Sequence, residues 1–268
     1  MVNTRPIGVF DSGLGGLTAV KEMLRIMPGE DILYLGDTAR VPYGSRRKET
    51  IIRYSQEDLD FLIRRNPKAI LIACGTVSAT ALPFLRTMTD IPILGVIEAA
   101  AAKAVASTKC GKIAVLATSA TVKSGAYREA IARIAPGVQV LEKACPLFVP
   151  LVENGYVDRD NMFTRQVAAD YLKDVTPFGA DTVILGCTHY PLIRDILSDL
   201  LPGACLVEAG KEAVRALQTV LQRDGIAAPD GRKGALMCCV TESPDTFNQV
   251  GTLFLGQEID GLTSCVSL

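Results

Sequence analysis

Two doubly wound α/β halves, with mainly parallel sheets and a site between them, are predicted by three features of the sequence. Short runs of strand-forming aliphatics alternate with longer helix-compatible segments along most of the 268 residues, the pattern of parallel strands covered by crossover helices. One arrangement occurs twice, an aliphatic run followed by a cysteine and a polar turn, in LIACGTVSATAL around Cys74 and in TVILGCTHYPLI around Cys187. Each of these units is preceded by a further strand and turn, rich in small residues in IGVFDSGLGG and in hydroxyls in IAVLATSATVKSG. The repeat is one of architecture and is weak in residue identity.

Strands are expected, in order, at 7–10, 32–35, 69–73, 91–96, 113–116, 138–141 and 182–185. Each is a short, nearly continuous apolar run bounded by turn residues, as strands buried on both faces are. Between them, segments 18–27, 47–65, 99–107, 124–134 and 161–175 have the length and partial amphipathicity of crossover helices. Pro28-Gly29, Asn66-Pro67 and Pro136-Gly137 punctuate them. The first domain is expected over 1–97 and again over 211–268, because the helix-like segment from Lys211 returns to it; the second is expected over 98–210. Open parallel sheets bind ligands outside the carboxyl ends of their strands, so the turns after the strands are where chemistry should lie.

Composition narrows the classes of partner. With a formal net charge of −1 and 49% hydrophobic residues, the chain has neither the basic footprint of a nucleic-acid binder nor a lipid-binding basic run, and a small molecule is the expected partner. No segment approaches the ~18 consecutive apolar residues of a membrane span. The start MVNTRPIGVFDSG lacks the charged and then apolar regions of a secretory signal, so a cytoplasmic location is expected. Eight cysteines in a chain of this length need not be staples, and in a reducing cytosol they stay free. No CxxC pair occurs and no metal site is expected. Cys110, Cys145, Cys205, Cys238, Cys239 and Cys265 are read as buried structural thiols.

The turn FDSGLGG carries Asp11, Ser12 and three glycines where a carboxylate or phosphate could meet backbone amides. It matches neither nucleotide signature, since Thr18 stands where GxGxxG needs its third glycine and no Gly-Lys-Ser/Thr follows. A tight βα turn accounts for the glycines but not for Asp11. Tyr43 and Gly44, in GDTARVPYGSR, follow a strand as ligand-contacting loops do, and on their own read as readily as a surface loop. Cys74 and Cys187 each precede an expected helix start, where a thiol pKa is lowered. One thiolate could then take a proton while a neutral thiol delivers one. His189, the only histidine, lies two residues beyond Cys187 and titrates near neutrality. Glu153 by itself reads as a solvated glutamate.

Four motifs, IGVFDSGLGG, GDTARVPYGSR, CPLFVPLVENG and VILGCTHYP, in this order and over nearly the whole chain, resemble those of bacterial glutamate racemases. The resemblance implies cofactor-independent interconversion of L- and D-glutamate, supplying D-glutamate for peptidoglycan, by two pseudosymmetric α/β domains with the site between them. It implies that Cys74 and Cys187 are the catalytic thiols on opposite faces of the substrate, with Asp11 near the first and Glu153 and His189 near the second. Ser12, Tyr43, Gly44, Thr76, Thr188 and His189 fall at its substrate-contact positions together with Asp11, and Thr118 and Thr121 join them. A homodimer is compatible with it.

One departure stands out. The family commonly has Cys-Asn-Thr where this chain reads Cys74-Gly75-Thr76, which deletes an amide side chain at a substrate-binding position. Losing a buried donor costs roughly 1–3 kcal/mol if its partner goes unsatisfied, so either water or a neighbour substitutes at Gly75, or affinity and preference differ. A two-cysteine racemase of aspartate or another acidic amino acid is therefore the enzymatic alternative. A non-catalytic small-anion binder is the alternative of another class, although it would have no use for thiols on both sides of its ligand.

Overall fold

The aliphatic runs become strands of two separate sheets in the computed structural model, which describes residues 3–259 and 261–268. Residues 1, 2 and 260 of the expected first domain lie outside the described residues. The strands are β1 (Ile7–Asp11), β2 (Ile32–Gly36), β3 (Ala69–Ile72), β4 (Ile93–Gly95), β5 (Lys112–Ala117), β6 (Gln139–Ala144), β7 (Thr182–Leu185), β8 (Cys205–Glu208), β9 (Leu236–Val240) and β10 (Thr263–Cys265). One sheet has the order β10-β9-β2-β1-β3-β4 and the other β6-β5-β7-β8. Every described pairing is parallel, with Ile7 of β1 in register with Ile32 of β2 and Ala69 of β3, and Ile113 of β5 with Val140 of β6 and Thr182 of β7.

The two sheets share one topology. Strands β2-β1-β3-β4 of the first correspond in order to β6-β5-β7-β8 of the second, and β9 and β10 extend the first beyond β2. The weak internal repeat of the sequence is thus a repeat of strand order.

Burial on both faces explains why β1, β2, β3, β5 and β7 read as continuous apolar runs. Ile7, Val9, Tyr34 and Leu71 face a core that also takes Leu17, Val20 and Met23 of the Leu17–Ile26 helix and Val214 and Leu217 of the Ala209–Arg223 helix. That core runs without a break into Val115, Ile184 and Leu185 of the second sheet. Phe10, Leu33, Leu35, Ile70 and Ile72 face the other way, onto Ile51, Leu59 and Leu62 of the Lys48–Ile63 helix. No described helix is long and apolar enough to cross a membrane.

Several expectations are corrected. Strands β8, β9 and β10 were not foreseen. The helix expected at 124–134 starts at Ala126, because Gly125 adopts φ +69° and separates it from a preceding Ser119–Ser124 helix. Segment 161–175 ends as a helix at Leu172, with a short Val175–Phe178 turn of helix after it. Cys145, Cys238 and Cys239 are buried as expected, but Cys110, Cys205 and Cys265 are exposed. These three lie just after a helix, at the start of β8 and at the end of the edge strand β10, where little chain covers them.

Candidate active site

In each sheet the first strand in sequence lies between the second and the third. The chain leaves two neighbouring strand ends in opposite directions at such a switch point and opens a crevice there. In the first half these ends are β1, leading to Asp11, Ser12 and Gly13, and β3, leading to Cys74, Gly75 and Thr76. In the second they are β5, leading to Thr118, and β7, leading to Gly186, Cys187, Thr188 and His189. The two crevices open onto one cavity of about 350 Å³. Its walls include Ser12, Tyr43, Gly44, Cys74, Gly75 and Thr76 from one half, and Thr118, Glu153, Cys187, Thr188 and His189 from the other. Of the residues expected at the site, Asp11 and Thr121 do not line it and stand one layer behind.

Cys74 is almost fully buried, and its thiol donates to Ser12 Oγ at 3.6 Å. Burial pushes its pKa up to about 12, and the negative charge of Asp11 adds to the effect. Asp11 is itself buried; its Oδ2 accepts the Gly13 N–H at 3.0 Å, and its Oδ1 has no donor among the described residues. Burial raises the Asp11 pKa, while the charge of His189 draws it down. The lowering expected for Cys74 from a helix N-terminus is therefore corrected. Cys74 precedes a helix of only six residues, and Cys187 is followed by a turn and a 3₁₀ segment, Tyr190–Ile193.

The second thiol has a different partner. Cys187 Sγ lies 3.8 Å from His189 Nδ1, and the opposite ring nitrogen, Nε2, lies 2.8 Å from Glu153 Oε1. Thr188 Oγ1 is 3.4 Å from the same Nδ1. Burial alone would lower the His189 pKa, but hydrogen bonds and charge from Cys187 and Glu153 outweigh it and raise it to about 10. The imidazole is then a cation at neutral pH. Thus a buried carboxyl group backs one thiol and an imidazolium flanks the other.

Hydroxyls join the two halves. Thr118 Oγ1 is 2.9 Å from both Thr76 Oγ1 across the cleft and Thr121 Oγ1 in its own half. Thr118 also caps the Ser119–Ser124 helix, which fixes its side chain. Among the described residues that line the cavity there is no lysine or arginine. A carboxylate bound there would meet amide N–H groups, hydroxyls and His189. Tyr43 meets the expectation only in part, because its hydroxyl turns away from the cavity to donate to Asp37 and approach Asp58.

The Gly75 position has a steric reason. A Cβ built there would fall inside 3.0 Å of the Gly186 carbonyl oxygen, closer than real Cβ atoms come. Backbone of the second half thus occupies the space a side chain would need. At Gly15 the side chains of Thr188 and His189 occupy that space, and a Cβ at Gly44 would lie 3.0 Å from Thr118 Cβ. Sequence reasoning missed Gly186 as well as Pro146, Val149 and Pro150, which line the cavity beside Glu153. All four lie within the motifs already singled out around Cys187 and Glu153, and that adjacency was the available signal.

The sequence model of the Asp/Glu/hydantoin racemase family matches residues 7–217. The chain is 42% identical to a glutamate racemase of Geobacter metallireducens over 256 residues, which cover 95% of this chain and 94% of that protein. Among solved structures it is similar to the glutamate racemase of Francisella tularensis in complex with D-glutamate, with a TM-score of 0.92, 36% identity, and 99% and 98% of the two chains covered. It is similar also to a glutamate racemase isoform of Bacillus anthracis, with a TM-score of 0.95, 35% identity and the same 99% and 98% coverage.

Proposed function

Because this chain belongs to the Asp/Glu/hydantoin racemase family, we infer its activity from that membership and from the chemistry of its cleft: it interconverts L- and D-glutamate. The observation that carries this reading is the pair of thiols, Cys74 and Cys187, on one cavity but from opposite halves. Inversion at Cα requires one group to take a proton from one face while another gives a proton to the other face. A single base would tend to return the proton to the face it came from.

In this reading Cys74 and Cys187 are the two acid/base groups, and their surroundings make them unequal. Cys74, kept as a neutral thiol by burial and by Asp11, is suited to donate. Cys187 adjoins an imidazolium held by Glu153, which can hold or return a proton at the sulfur. The α-proton is a very weak acid, so its removal depends on preorganised donors around the developing carbanion in a site that excludes water. Ser12, Thr76, Thr118 and Thr188 supply hydroxyls and Gly75 a backbone amide, Thr121 holds Thr118, and the Gly44 amide holds a substrate carboxylate away from the reacting carbon. His189 offsets the charge of an acidic substrate where lysine and arginine are absent from the described lining. The division 1–97 plus 211–268 and 98–210 supplies the two bodies whose approach would exclude water, and the membership of the strands in two sheets supports it.

D-glutamate made in this way feeds peptidoglycan synthesis, which places the enzyme in the cytoplasm, where eight unpaired cysteines are stable. The test is racemisation of L-glutamate followed by circular dichroism without added cofactor. Wild type should lose the signal to zero, and Cys74→Ser and Cys187→Ser should each abolish turnover. Turnover in both variants would remove the thiols from the mechanism.

A further inference from the structure

Behind the cavity wall lies a buried ionic cluster that the reaction itself does not use. The turn 41–45 forms one side of the cavity, and its Tyr43 hydroxyl is sunk among Asp37, Asp58 and Arg40. Asp37 and Asp58 are fully buried. Arg40 donates Nε to Asp37 Oδ2 at 2.5 Å, Nη2 to Asp58 Oδ1 at 3.2 Å and Nη1 to Glu57, and its guanidinium lies 4.3 Å from the centre of the Tyr54 ring. Thr241, just beyond β9, donates to Asp37 Oδ1 at 2.8 Å and accepts the Ala39 N–H at 2.9 Å. The far side of the turn is fixed as well, because the Gly44 carbonyl accepts the Ala120 N–H of the other half at 3.1 Å.

Burying two carboxyl groups against a partly buried guanidinium is costly unless the set is fully paired, and an apolar filling would hold a plain loop as well. What the cluster adds is direction, since two carboxyl groups, each held by Arg40, converge on one hydroxyl and fix the backbone attached to it. We propose that Asp37, Arg40 and Asp58 are positioning residues that act through Tyr43 to hold the backbone of Gly44 and Ser45 in place as donors to a substrate carboxylate. This rests on the reading of the cavity as the glutamate site. A tyrosine hydroxyl has one proton, which goes to Asp37; the 3.0 Å contact with Asp58 Oδ2 then needs a proton on Asp58. Burial, reinforced by the charge of Asp37, raises the Asp58 pKa well above the ordinary range, consistent with a neutral acid there.

The turn carries no acid or base of the reaction. Its contacts therefore act alike on bound substrate and transition state, and their loss appears in KM rather than kcat. The test compares Arg40→Met, Asp37→Asn, Asp58→Asn and Thr241→Val with wild type, measuring kcat and KM for both enantiomers of glutamate. Arg40→Met and Asp37→Asn should raise KM about tenfold or more, with kcat within about threefold. Asp58→Asn should recover most of the wild-type KM, because a carboxamide replaces a neutral acid and keeps a donor toward Tyr43. Thr241→Val, which removes a single hydrogen bond and keeps the protein folded if the charge variants fail to fold, should raise KM about threefold. Unchanged KM in Thr241→Val, or a fall in kcat at constant KM in folded Arg40→Met, would overturn the proposal while leaving the racemase reading intact. Absence of glutamate turnover in wild type would sink that reading and this proposal with it.

Discussion

Replacing Gly75 by alanine adds one methyl group where one thiol-bearing turn meets the backbone of the other. The new Cβ would sit inside 3.0 Å of the Gly186 carbonyl oxygen. That oxygen belongs to backbone, so no side chain can swing aside to make room. Gly75 directly follows Cys74 and Gly186 directly precedes Cys187, so relief means moving the two turns apart. Overpacking of this kind costs about 1–3 kcal/mol, and at 1.4 kcal/mol per tenfold kcat/KM should fall about 5- to 150-fold. Because an opened cleft relieves the strain, the fold itself should lose little, with Tm within about 3 °C of wild type. Initial rates for both enantiomers by circular dichroism, beside calorimetric melting, measure the two effects together. Gly75→Asn should be no better than Gly75→Ala, since the same Cβ comes first. Rates within twofold of wild type in Gly75→Ala, or faster catalysis in Gly75→Asn, would refute the steric account and restore the simpler view that this position lacks only an amide donor.

Three further outcomes follow from the electrostatics and hydroxyls of the site. In a Cys187→Ser background, Asp11→Asn should lower the Cys74 pKa from about 12, yet leave it above the ordinary ~8.5, because burial is the larger cause; thiolate absorbance against pH reads this, and a fall to the ordinary value would assign the shift to Asp11. His189 has a folded-state pKa of about 10, above an unfolded value of ~6.5, so its contribution to stability is complete below the lower value and is lost as pH rises through the upper one. The Tm gap between wild type and His189→Gln should therefore narrow across that window, and a gap that widened would contradict the pairing with Glu153 and Cys187. Thr118→Val removes a helix cap and the link between Thr76 and Thr121, and should cost about 1–2 kcal/mol in urea unfolding; a loss below about 0.3 kcal/mol would show that the cap is not what fixes this hydroxyl.

Of the seven strands that could be read from sequence, β1, β2, β3, β5 and β7 are buried on both faces, which leaves an uninterrupted aliphatic signal. The three that escaped lack it: β8 runs from an exposed Cys205 to Glu208, β9 has a half-exposed Leu236 and an exposed Met237, and β10 is three residues with an exposed end. The boundary at Gly125 escaped because its left-handed φ is set by the turn it closes, and the flanking residues read as helix on either side. At the site, the thiols and His189 were legible because chemically special residues stood at strand ends. The direction of the Cys74 pKa was not, since it depends on how deeply the thiol is buried and on a carboxylate 63 positions earlier in the chain. Nor was the role of Asp58, a charged residue on the buried face of the Lys48–Ile63 helix; such a misplaced charge is itself a sequence signal, but only once that helix's inner face is known. Gly75 was noticed as a missing donor, and only the approach of Gly186 gives it a positive reason.

The claim that two thiols work from opposite faces is tested most directly by the fate of the α-proton. L-glutamate is turned over by wild type in deuterated water, and both enantiomers are sampled by NMR and mass spectrometry at low conversion. The two-thiol account predicts that newly formed D-glutamate carries deuterium at Cα while the remaining L-glutamate keeps its protium, with the mirror result from D-glutamate. D-glutamate that retains the original protium, or early deuterium in both enantiomers at equal levels, would mean that one group serves both faces, and the division of labour between Cys74 and Cys187 would be wrong.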